Sequence, residues 1–136
     1  MKDIRPAMRS FLLGSPEIAA VVVTRIYPGK LPQGTTAASI VYNRISGAGD
    51  YHMQGLSGFA KHRFQIDAWA PTAEVASSLA DLIRDRIDGY QGPMGADSPP
   101  TVDVQGVFMV DQREDYDDAA KLHRMSRDFF IDFVEL

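Results

Sequence analysis

The chain has 136 residues and a mass of 15.0 kDa, a length that predicts a single domain over residues 1–136. Hydrophobic residues make up 45% of it and charged residues 24%, a composition that excludes the disordered class of proteins. Its net charge of −4 and its lack of cysteine argue against nucleic-acid binding and exclude disulfides, thiol nucleophiles and Cys-ligated metals.

The N-terminal part of the chain predicts two short helices and an extended arm. Apolar residues recur at helical spacing within residues 2–13: Ile4, Met8, Phe11 and Leu12. Gly14 predicts the end of this helix, and Ser15 is expected to cap a second one. The β-branched residues 21–23 and the residues up to Pro28 then predict a short strand or extended arm. Residues 29–36 predict a loop, because they include two glycines and a proline.

Two strands with a glycine-rich loop between them are predicted next. Residues 38–46 are rich in Ile, Val and Tyr, and residues 62–70 alternate between two faces. The four glycines within residues 47–58 predict a loop that is either mobile or ordered by a partner. Three residues of this loop are candidate partner contacts: Tyr51, His52 and Met53.

A helix is predicted over residues 72–88, with Thr72 as its N-cap and Gly89 as its stop. Its expected buried stripe has alanines 76 and 80 beside it and consists of Val75, Leu79, Leu82, Ile83 and Ile87.

The C-terminal part of the chain predicts a loop over residues 92–100 and strands over residues 102–110 and 125–134. Gly106 suggests a bulge or a close backbone approach within the first of these strands. Helices and strands are segregated along the chain rather than alternating. We therefore expect an α+β domain, in which a small antiparallel sheet packs against one long helix, with a further helix at the N-terminus.

The sequence has no recognisable catalytic constellation. His52, His62 and His123 lack the spacing of zinc ligands. Residues 55–58 lack the pattern of a nucleophile elbow, and residues 47–49 lack that of a dinucleotide-binding loop. We expect no cofactor and no metal. Since no apolar run approaches the roughly 18 residues of a membrane span, and residues 18–23 do not resemble a signal sequence, we expect a soluble protein.

One acidic cluster stands out, and it has three interpretations. It is predicted to be a loop and consists of Asp111, Glu114, Asp115, Asp117 and Asp118. The cluster could be solvated, could hold a cation although it lacks the EF-hand glycine, or could dock a basic partner. Trp69 similarly has two interpretations, a stacking platform or a core residue.

Several phrases, in this order, resemble one known family. Arg25-Ile26-Tyr27-Pro28 is followed by Leu31-Pro32-Gln33-Gly34 and by Ile40-Val41-Tyr42. After them come the strand from Arg63 to Ala70 and the strand that begins at Arg124-Met125-Ser126. From about residue 4 to residue 134, the chain is similar to the tail-completion proteins of long-tailed bacteriophages, prophages and gene transfer agents, which are also called tail terminators or tail-to-head joining proteins.

This resemblance implies a small α+β fold and a structural role without catalysis. It implies a homo-hexameric ring that caps the tail tube, stops its polymerisation and meets the head connector or stopper protein, with DNA passing through the lumen. The protein would then be assembled in the host cytoplasm and lie at the head–tail interface of the virion. The alternatives are a head-closure component of the same particle and, in a different class, a small acidic ligand-binding domain or enzyme.

Overall fold

A computed structural model describes residues 3–52, 55–95 and 102–135. Its three helices are α1 (Arg5–Leu13), α2 (Pro16–Val22) and α3 (Ala73–Ile87). Its six strands are β1 (Ile26–Pro28), β2 (Ser39–His52), β3 (Gly55–Ala70), β4 (Gly92–Met94), β5 (Val102–Asp117) and β6 (Leu122–Glu135). Within the described residues, no helix has the length and apolar character that crossing a membrane requires.

The predicted helix caps are present. The Ser15 hydroxyl accepts a hydrogen bond from the Ile18 amide at 3.4 Å, and the Thr72 hydroxyl accepts one from the Val75 amide at 3.2 Å. Each bond satisfies an amide that has no partner within its helix. Both helices therefore begin where their capping residues predict. The second of them, α2, continues through Val22, although the β-branched residues 21–23 predicted an extended segment.

All six strands form one mixed sheet in the order β1-β2-β3-β6-β5-β4. β1 pairs with β2 in parallel, and the other pairs are antiparallel. The α+β class is confirmed, but the expectation of a purely antiparallel sheet on one long helix is not. Three helices of 9, 7 and 15 residues form the helical layer, because α1 and α2 also bury apolar side chains against the sheet.

Parts of three predicted loops are strands, and the shortest is β4 (Gly92–Met94), at the start of the predicted loop over residues 92–100. Residues 47–58 belong largely to the hairpin between β2 and β3, and residues 111–117 are the outer half of β5. In all three places pairing with a neighbouring strand outweighs a composition that favours loops. The predicted bulge at Gly106 is confirmed by a register shift after Val104. A Cβ at Gly106 would lie 2.8 Å from the tip of the exposed Phe108 ring, so a larger residue here would displace that ring.

The helices cover one face of the sheet, which we call the helical face. The main core lies there and includes Phe64, Phe129 and Phe133. From α3 it receives Ala76, Leu79, Ala80, Ile83 and Ile87. The predicted stripe is wrong at Val75, which is 41% exposed, and Leu82 is only partly buried, because the alanines take the positions nearest the sheet.

Arg86 ties α3 to α1. Its guanidinium donates a hydrogen bond to the Phe11 carbonyl at 3.0 Å and lies 4.0 Å from the centre of the Phe11 ring. Both residues lie in the last turns of their helices, where the carbonyls carry partial negative charge. One cation therefore serves the C-terminal ends of two helices.

Candidate assembly surface

The opposite face of the sheet, which we call the open face, carries a ladder of ion pairs. At its centre is Asp128, whose side chain is 5% exposed. Its carboxylate lies 2.8 Å from an Arg63 nitrogen on β3 and 3.1 Å from an Arg113 nitrogen on β5. Arg113 also pairs with Asp111 at 2.7 Å. The ladder therefore links three strands by charge-assisted hydrogen bonds.

A second group of charges lies nearer the β5–β6 turn. Arg124 pairs with Asp115, and one of its nitrogens lies 4.0 Å from Asp67. Burial raises the pKa of Asp67, while hydrogen bonds from Ser126 and Gln65 lower it by less. The raised pKa means that the ionised carboxylate is less favourable here than in water.

The five acidic candidates occupy different environments. Asp111 and Asp115 are paired with arginines of the same chain, and Asp117 accepts hydrogen bonds from the Ala119 and Ala120 amides at 2.9 and 3.0 Å. Within the described part of the chain, the side chains of Glu114 and Asp118 make no hydrogen bond or ion pair and are exposed. The cluster therefore divides into three internally bound acids and two that face outward.

Among residues 3–52, 55–95 and 102–135, no group of three or more His, Asp or Glu residues is arranged to hold a metal ion. Asp111 and Asp115 share one face of β5 but are each already paired with an arginine, and strand alternation places Glu114 on the opposite face. On the open face, Asp111 pairs with Arg113 and Asp115 pairs with Arg124. Glu114, opposite Met125 of the main core, points to the helical face.

Trp69 is a core residue rather than a stacking platform. It is 9% exposed and forms a small cluster on the open face with Val41 and Leu122. A cavity of about 600 Å³ lies beside it, between residues 30–36 and the β5–β6 turn. The cavity is lined by residues 30–36 together with Arg124 and Asp117. Both charged side chains already have partners within the chain, because Arg124 pairs with Asp115 and Asp117 accepts a hydrogen bond from the Ala119 amide.

The other candidate contacts belong to the hairpin. Tyr51 pairs with Leu56 and His52 with Gly55 at its end, while Met53 lies outside the described residues. β3 pairs with β6 only from Phe59 onward. The end of the hairpin therefore extends beyond its neighbouring strand.

Sequence reasoning did not identify the free edges of the sheet. β4 pairs only with Val102–Val104 of β5, and β1 pairs only with Ile40–Tyr42 of β2. Each remaining edge carries a bulge with an exposed aliphatic residue, Val110 (43%) on β5 and Ile45 (51%) on β2. The sequence signal that could have indicated these bulges is the break in the alternation of apolar and polar residues near Val110 and Ile45.

Comparisons with known proteins give one family match and solved structures of the same fold. The chain matches the family described as "Tail completion protein gp17" over residues 6–131. One solved structure with the same fold is a chain of the "Virion of native gene transfer agent (GTA) particle", with a TM-score of 0.72 and 18% sequence identity. That match covers 95% of this chain and 92% of the other.

The sequence matches none of the curated proteins with which it was compared. At 18% identity, the similarity to the gene transfer agent chain establishes the fold alone. The family match spans nearly the whole sequence. The chain therefore belongs to the tail-completion protein family, whose members are structural proteins of phage tails.

Proposed function

We propose that the protein forms a hexameric ring on the last ring of a phage-type tail tube. There it stops polymerisation of the tube and joins the tail to the connector or stopper protein of the head. It acts without catalysing a reaction, at the head–tail interface of a particle assembled in the bacterial cytoplasm. The observation that carries the proposal is membership of the tail-completion family over residues 6–131.

Two features of the molecule support this role. The hairpin of β2 and β3 extends beyond β6, so Tyr51 and His52 are candidates for contact with the tail tube or the head, and Met53 is kept as a candidate from the sequence alone. A net charge of −4 on each subunit makes a ring net acidic. DNA would pass through such a ring without being held by it, because like charges repel.

The test is to delete the gene and examine the particles by electron microscopy. We expect over-long tails without heads, and restoration of normal tails when the full chain is supplied from a second copy. Tails of normal length joined to filled heads in the deletion strain would contradict the proposal. Tails of normal length beside heads that have lost their DNA would identify the protein as a head-closure component instead.

A further inference from the structure

The two free edges of the sheet are complementary in outline. β1 covers β2 only at one end of the sheet, at the height of Gln112–Glu114 of β5. β4 covers β5 only at the opposite end, at the height of Gly49 of β2. The uncovered part of β5 is therefore level with β1, and the uncovered part of β2 is level with β4.

Strand direction fits the same arrangement. Each step across β2, β3, β6 and β5 is antiparallel, so β2 and β5 run in opposite directions. If a second copy stands beside the first with its strands pointing the same way, β5 of one copy runs antiparallel to β1 and β2 of the other. In that position β1 faces the uncovered part of β5, and β4 faces the uncovered part of β2.

The side chains at the two edges match as well. The bulge residues Val110 and Ile45 are both exposed. They are also level with each other to within one residue, because strand pairing across the sheet places their neighbours Met109 and Arg44 in one row. The β5 edge continues into residues 111–118, which contain five acidic residues and one Arg. Residues 18–49, which supply the other edge, include Arg25 and Arg44 and no acidic residue.

We propose that successive copies of this chain bind head to tail, with the β5 edge of one subunit against the β1–β2 edge of the next. This inference rests on the proposed ring and states which surfaces form it. The contact joins two different surfaces, which is the geometry that closes into a ring rather than a two-fold dimer.

Side chains, rather than a continued backbone ladder, form this contact at β1. The Ile26 carbonyl already accepts a hydrogen bond from Arg9 at 3.1 Å, and Pro28 has no amide proton. On β5, the Gly89 amide donates to the Val107 carbonyl at 2.8 Å, so the end of α3 blocks that part of the edge. Charge and the aliphatic bulges therefore decide which edge binds which.

The absence of cysteine from the chain allows a direct test by crosslinking. The double variant Val110→Cys with Ile45→Cys is assembled into particles and treated with a short bismaleimide. We expect a ladder of covalent multimers on a denaturing gel. Two matched controls, Val110→Cys alone and Val110→Cys with Val75→Cys, are expected to stay monomeric. Val75 is exposed to a similar degree (41%) but lies on α3.

Four outcomes would overturn the inference. Covalent dimers from Val110→Cys alone would mean that β5 edges meet each other, and capture of a different protein would mean that the edge faces the tail tube or the head. Rings seen in the particles without any ladder from the double variant would leave the proposed function intact and refute only this contact. If the particles contain no ring of this chain, both proposals fail.

A second variant tests the charge component without cysteine. Glu114→Lys reverses an exposed acid on the β5 edge that has no ion pair within the described residues. We expect it to reduce tail capping, because it lowers the negative charge of residues 111–118 opposite an edge that carries Arg25 and Arg44. Asp85→Lys on α3 makes the same change in net charge and is expected to leave capping unaffected. Capping by Glu114→Lys at the level of Asp85→Lys would count against the contact.

Discussion

Truncation of Leu79 to alanine measures how strongly α3 holds the sheet. Leu79 is 1% exposed and points into the main core between the helix and strands β3 and β6. Removing its three outer carbon atoms costs about 2 kcal/mol of transfer free energy. The neighbouring Ala76 and Ala80 cannot fill the space, so a cavity term of about 1–2 kcal/mol adds to it.

We therefore expect the free energy of unfolding to fall by about 3–4 kcal/mol. For a chain of 136 residues, this corresponds to a decrease in Tm of about 10 °C, measured by circular dichroism on the purified subunit. Val75→Ala on the same helix is the matched control. Since Val75 is 41% exposed and alanine favours helices, its Tm is expected to stay nearly constant.

The comparison of the two variants tests the orientation of the helix. Equal losses at Leu79 and Val75 would refute the burial pattern of α3, and an unchanged Tm for Leu79→Ala would mean that the helix does not support the core.

Three further predictions concern charge and backbone strain. Because the folded pKa of Asp67 is raised, the folded state binds this proton more tightly than the unfolded chain. Stability is therefore lost as the pH rises from 3.8 through the folded pKa; denaturation at several pH values is expected to show that Asp67→Asn removes this part of the dependence, and an unchanged profile would contradict it. Asp128→Ala leaves Arg63 and Arg113 without their shared carboxylate and is expected to lower the free energy of unfolding by about 2 kcal/mol in urea titrations. A loss no larger than that of an exposed substitution would mean that the ladder does not stabilise the sheet. Val23 has a positive φ of 58° with ψ −92°, a strained conformation for a β-branched residue, so Val23→Gly is expected to raise Tm by a few degrees, about 1 kcal/mol; a lower Tm would argue against strain.

Sequence patterns predicted the features that depend on neighbouring residues, namely the two faces of a strand and the first residues of two helices. The alternation of residues 62–70 predicted both faces of the central strand, and Ser15 and Thr72 predicted where two helices begin. The glycines of residues 47–58 favoured a loop in isolation, and only pairing along the whole hairpin makes that segment a strand.

The sequence predicted the concentration of acidic residues at the candidate surface, but it did not predict which of them are paired with arginines. Whether Asp115 or Glu114 is paired depends on strand register, which places Arg124 opposite Asp115. Partners nine residues apart across a turn leave no periodic signal in the sequence. The parallel addition of β1 is equally nonlocal, because it requires the chain to return from α2 to the outside of β2.

The bond from Arg86 to the end of α1 has a consequence for how the molecule opens. If α1 detaches, Arg86 loses both its carbonyl acceptor and the Phe11 ring, and Phe11 itself leaves Tyr90, whose ring centre is 4.4 Å away just after α3. Partial unfolding at one helix end is thus coupled to the other. Amide hydrogens in the last turns of α1 and α3 should exchange with a shared opening free energy, as members of one cooperative unit within the helical layer.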